Sequence, residues 1–169
     1  MNKNQLECIN SKNLWLHNLV EVEFPTKESL EGRKLYFQRL EKLSYQKLEL
    51  DTLTQYEAVL SEEDIFRVDF HRLTVMYAVM QSKHWSDKHE QEMIIEYLTQ
   101  IILTPGIDLY VGFKDGNPIG AAMVTQDEKT MLISDLFTSK SLSTSQFVCD
   151  LIRKITDIES LSKVVLLES

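Results

Sequence analysis

Up to about residue 106 the apolar positions of this chain recur mostly at helical spacing; beyond it they gather in short strand-like blocks. In "WLHNLVEVEF", Val20, Val22 and Phe24 alternate with Glu21 and Glu23, which predicts a short strand stopped by Pro25. Thr26 can cap a helix expected over residues 27–50, with Tyr36, Leu40, Leu43 and Leu50 on one stripe. Ser61 and Asp64 form a capping-box pair that predicts a second helix. Along it Phe66, Phe70, Leu73, Tyr77 and Met80 step by four and three. A third helix is expected from Asp87, with Ile94, Leu98 and Ile101 inward and "TPG" at 104–106 as its stop.

The rest reads as strands around one helix. "IDLYVGF" and "IGAAMV" flank Asp115-Gly116, a hairpin signal, and "MLISDLF" comes after a second turn, "TQDEKT". A serine run then leads into a helix through Phe147, Leu151, Ile152 and Ile155. Val164 to Leu167 is continuously apolar, as a strand covered on both faces should be. Strand, helix, strand in that order predicts a parallel pair with a right-handed crossover. The expected class is α+β: N-terminal helices, an antiparallel meander over residues 107–137, then a parallel strand–helix–strand step. A sheet ending at residue 167 would expose an edge. Residues 15–24, or a second copy of the chain in a homodimer, are expected to cover it.

Composition narrows the partners. At 169 residues, 43% apolar and 26% charged, the chain has the make-up of an ordinary globular domain with one sizeable core. No apolar run approaches a membrane span and the N-terminus shows no apolar signal core, so no membrane is expected and a cytoplasmic location is the default. A net charge of −8 repels a phosphate backbone and argues against nucleic acid. Cys8, Cys149, His17, His71, His84 and His89 show no zinc spacing, so no metal site is expected.

With "LYVGFKDGNPIGAAMV" at its centre, residues 53–169 resemble the GNAT family of N-acetyltransferases. The family's third strand looks like "ISDLFT", and its parallel step looks like the loop, helix and strand of residues 139–167. On that resemblance residues 51–169 are a GNAT-like domain and residues 1–50 a mostly helical extension packed on it. The resemblance implies acetyl-CoA or another acyl-CoA as cofactor, and a small amine or a protein as partner. Backbone of Leu136, Phe137 and Thr138 would pair with the pantetheine and acyl group. Ser143, Thr144 and Ser145 would hold phosphate at a helix N-terminus, His84 and Trp85 would line the acceptor side, and Asp135 would be the base. The family's phosphate loop relies on glycine, and here "KSLSTS" has none; weak cofactor binding is the expectation. Past its last strand the family adds a helix that often carries a tyrosine as general acid. With Ser169 the last residue, none is expected at that place.

Bland roles compete for these residues. Ser143 or Thr144 can simply cap the helix; Asp135, alternating with Ile133 and Phe137, can be a strand-end ion pair; His84 and Trp85 can be packing. Three functions stay open. They are a weak or inactive acyl-CoA-dependent N-acetyltransferase, a non-catalytic GNAT-fold binding or assembly module, and a small α+β regulator acting through its N-terminal helix.

Overall fold

A computed structural model describes all residues, 1–169. Its sheet has six strands: β1 (Tyr45–Lys47), β2 (Ile65–Arg67), β3 (Ile107–Lys114), β4 (Asn117–Gln126), β5 (Thr130–Thr138) and β6 (Val164–Glu168). They lie in the order β1-β6-β5-β4-β3-β2, antiparallel throughout except for the β5–β6 pair. Six helices surround the sheet: α1 (Lys3–Asn18), α2 (Lys27–Leu40), α3 (Leu50–Leu53), α4 (His71–Ser82), α5 (Lys88–Leu98) and α6 (Thr144–Ile155). This is the expected α+β class, with the meander and the parallel step of a GNAT-like sheet. No helix is long and apolar enough to cross a membrane.

The hairpin signal folds as read: Asp115 and Gly116 both take positive φ, 51° and 76°, as a tight two-residue turn between β3 and β4 requires. One core lies between the sheet and α1, α2, α4 and α5, around Leu16, Tyr77, Ile94, Tyr97, Leu109 and Met123. A second lies under α6, around Phe147, Leu151, Ile152, Val124 and Ile133. Phe147 lies over the paired glycines Gly112 and Gly120, where a Cβ would come within 3.1 and 2.8 Å of its ring.

The N-terminal third departs from the pattern reading. No strand forms at Val20–Phe24: Val20 is buried after α1, and Val22 and Phe24 point outward. The helix expected to residue 50 ends at Leu40, because Tyr45–Lys47 pairs antiparallel with β6 as β1. That strand, not residues 15–24, covers the exposed edge; Ser44 and Ser169 extend it by exchanging backbone hydrogen bonds at 2.7 and 2.9 Å. An open sheet edge outweighs helix propensity in a segment with few apolar anchors.

The Ser61–Asp64 capping box is present, but it closes a single 3-10 turn. Residues 65–67 then leave as β2, and the helix starts only at His71. Phe66 and Phe70, placed by spacing on a buried stripe, are therefore exposed.

The helix pair α2–α5 approaches closely at Gly32, where an added Cβ would lie 2.1 Å from the Met93 carbonyl oxygen and 2.6 Å from Tyr97 Cβ. Backbone cannot yield as a side-chain tip can, so Gly32→Ala should destabilise the fold by about 1–3 kcal/mol despite alanine's better helix propensity. Urea unfolding of the two proteins, compared at equal slope, measures it.

Candidate functional site

β5 and β6 stay paired from Thr130–Val164 to Ile133–Leu167 and then part. Just past the parting β5 bulges: Asp135 and Leu136 together stand opposite Ala122, and Asp135 takes φ +50°. Aspartate is among the few side chains that accept this left-handed backbone. The bulge also breaks the expected alternation. Ile133 packs under α6, whereas the Asp135 carboxylate turns to the opposite face and meets α2.

Between the parted strands lies a cleft of about 210 Å³, lined by Arg39, Leu43, Asp135, Leu136, Thr144, Glu168 and Ser169. α2 walls one side and the first turn of α6 the other. A larger surface cavity, about 620 Å³, lies by the C-terminal end of α6. There Arg153 and Lys154 already donate to backbone carbonyls of Tyr56 and Glu62, which leaves it less suited to a ligand.

Beside the cleft is a group of buried polar side chains. Lys12 Nζ of α1 meets Glu168 Oε2 of β6 at 2.5 Å, and both side chains are fully shielded from solvent. The Tyr36 hydroxyl donates to both carboxylate oxygens of Asp135, at 3.0 and 2.9 Å, and Gln81 Nε2 donates to the Asp135 carbonyl. Glu168 Oε1, Ser134 Oγ and the Tyr77 hydroxyl are buried nearby without a hydrogen-bond partner.

Loss of hydration pushes the Asp135 pKa up from 3.8 to about 6; Glu168 pushes the same way, while Lys12, the Tyr36 hydrogen bond and Arg39 pull it down. Tyr36 and Tyr77 sit well above the usual phenol value, first through burial and then through the Asp135 charge.

His84 and Trp85, in the α4–α5 corner, come to the same neighbourhood. The His84 ring lies 5.6 Å from Phe137, edge to face, and the Arg39 guanidinium sits 5.8 Å from the centre of the Trp85 ring. Burial first, and the Arg39 charge second, lower the His84 pKa to about 4, so its imidazole is neutral at pH 7.

The structure thus gathers His84, Trp85, Asp135, Leu136 and Phe137, with Thr144 on the far wall. Thr138 lies further along β5, paired with Gly120. Ser143 and Ser145 are exposed and outside the cleft lining. Ser143 is the N-cap of α6: its Oγ accepts from Gln146 N at 3.2 Å, and Gln146 Oε1 accepts from Ser143 N at 3.4 Å.

Pattern reading missed Lys12, Tyr36, Arg39 and Glu168. One signal was available, because Lys12 falls between Ile9 and Leu16 at steps of three and four, a cation on an apolar stripe.

No protein-family model matches the sequence, and no curated protein matches it. In shape the chain is similar to a functionally unknown conserved protein from Staphylococcus epidermidis, with TM-score 0.50 and 14% identity over 80% of this chain and 55% of that one. It is also similar to a GNAT-family protein from Novosphingobium aromaticivorans, with TM-score 0.42 and 13% identity over 75% and 51%. A third, a conserved protein of unknown function from Bacteroides thetaiotaomicron, gives TM-score 0.32 and 7% identity over 91% and 47%. The chain spans about half the length of these structures. The first likeness is one of fold alone, and the other two carry no further weight.

Two measurements probe the buried group. Lys12→Met leaves the Glu168 carboxylate buried and unpaired, which should cost about 3–5 kcal/mol, and adding Glu168→Leu should restore most of it. Chemical denaturation of both variants measures the pair.

Asp135→Asn keeps a side chain that tolerates positive φ and can still accept from Tyr36. Unfolded, Asp135 titrates near 3.8; folded, near 6. Its contribution to stability is therefore complete below pH 3.8 and is lost as pH rises through about 6. The melting temperature of Asp135→Asn relative to wild type should climb across that window and level off above it.

Proposed function

We propose that this chain is a non-catalytic binding or assembly module on a GNAT-like fold, one that holds acyl-CoA weakly. The observation that carries the reading is that the carboxylate and the helix start assigned to a ligand by the resemblance are already engaged within the chain. Tyr36 holds both oxygens of the Asp135 carboxylate, and the Ser143–Gln146 capping box uses the Gln146 N–H in the first turn of α6.

A helix N-terminus binds phosphate through free N–H groups, and the approach needs backbone unobstructed by Cβ atoms. Residues 139–146 contain no glycine, and none of them takes positive φ. The cleft, about 210 Å³, also falls short of the roughly 300 Å³ at which ligand pockets begin. These residues give the pyrophosphate of acetyl-CoA only an obstructed approach to the helix start, which makes binding weak.

A second reading has one specific observation in its favour. Asp135 lines the cleft with a pKa near 6, so at pH 7 it is mostly ionised and able to take a proton from an amine. That is the weak N-acetyltransferase, with His84 and Trp85 on the acceptor side.

Calorimetry with acetyl-CoA separates the two. We expect a Kd at or above about 0.1 mM, an affinity no better than about 5.5 kcal/mol, and no measurable turnover on common amines. Micromolar binding at one per chain would overturn this in favour of the second reading. Turnover should then rise with pH through about 6 and vanish in Asp135→Asn.

A further inference from the structure

Asp135 is buried, and no cation is bonded to its carboxylate. Tyr36 donates to both oxygens, while the buried ammonium of Lys12 is already paired with Glu168. Two carboxylates therefore share one buried cation. The other groups near Asp135 cannot answer its charge. Burial keeps the phenols of Tyr36 on α2, Tyr77 on α4, Tyr97 on α5 and Tyr45 on β1 protonated. His84, at the α4–α5 corner, is lowered to about 4 by burial and is neutral near pH 6.

Arg39 is the other cation whose charge reaches Asp135. It follows Tyr36 by three residues on α2, and residues so spaced are neighbours on one helix face. Arg39 also lines the same cleft of about 210 Å³ as Asp135. Yet it forms no ion pair, and its guanidinium lies over the Trp85 ring, 5.8 Å from the centre. A half-buried guanidinium and a buried carboxylate thus share one cleft without pairing. A cation over an aromatic face is held less strongly than one hydrogen-bonded to a carboxylate out of water. A neutral carboxylic acid exerts no such pull.

We propose that Arg39 is a proton-governed bar across the β5–β6 cleft: it rests on Trp85 while Asp135 is protonated, and crosses to pair with the carboxylate once Asp135 ionises. The crossing is centred near pH 6, where Asp135 gains its charge as pH rises. Tyr36 need not let go, because each carboxylate oxygen has a second lone pair to offer the guanidinium. The cleft is open on the acid side and barred on the alkaline side. This inference concerns access to the cleft, rests on neither reading of its ligand, and is tested without one.

Nuclear magnetic resonance of the full chain between about pH 5 and about pH 8 provides the test. Overhauser contacts between the Arg39 side chain and the Trp85 ring should be present at the acid end and lost at the alkaline end. Their loss should share its midpoint, near pH 6, with the titration of the Asp135 carboxyl carbon. That comparison needs no variant. Asp135→Asn, which cannot ionise, should keep the contacts across the whole range. Contacts that persist while Asp135 titrates overturn the proposal. So does their loss in Asp135→Asn along the wild-type curve, or an Asp135 that holds one charge state throughout.

Discussion

Three ionisable groups, Lys12, Glu168 and Asp135, are buried together where β5 and β6 part, and the surrounding elements meet there. Taking such charges out of water costs several kcal/mol per ion unless each finds a partner of good geometry. α1 supplies the ammonium, α2 the phenol and α4 the carboxamide, while β5 and β6 supply the carboxylates. Beside these charges, residues 1–50 join the main core through Leu16, Val20 and Tyr36. An apolar cluster would tolerate some shift of α1 along the sheet; a charge pair at 2.5 Å fixes its position.

Where one periodicity held over a whole element, the sequence was read correctly. The three meander strands alternate or run apolar, their hairpin carries Asp-Gly, and α6 has caps and stripe in agreement. The errors fall at residues 20–24, 45–47 and 65–67. In the last two, three-residue strands exist because a neighbouring edge was open to receive them, and no local pattern announces that. Phe66 and Phe70 fitted a helical stripe by count, yet β2 consumed the residues that would have carried its first turn.

The candidate site was legible in part. Asp135, His84, Trp85, Leu136 and Phe137 were named from the resemblance and do come together, but the partners that set their chemistry were not. Tyr36 and Arg39 lie about a hundred residues from Asp135; Tyr36 was placed only on an apolar helical stripe and Arg39 was given no role. The bulge was invisible for a different reason. A one-residue slip in pairing leaves composition and spacing unchanged while it sends Asp135 to the other face of the sheet. A serine-rich strand–helix corner without glycine becomes a self-capped helix start, with Ser143 and Gln146 closing on each other.

Consider what the pairing of β1 with β6 asks of a chain being made from its N-terminus. Tyr45 has no strand to join until Glu168 has left the ribosome, and Lys12 emerges 156 residues before the carboxylate it binds. Most of the meander can form before then, since its hairpins are local. The first fifty residues must wait as helices without their cation's partner, and long-range closures of this kind slow folding. The N-terminal segment is thus made long before the strand that secures it, and until β6 emerges the edge of β5 that it will cover is open to any other strand.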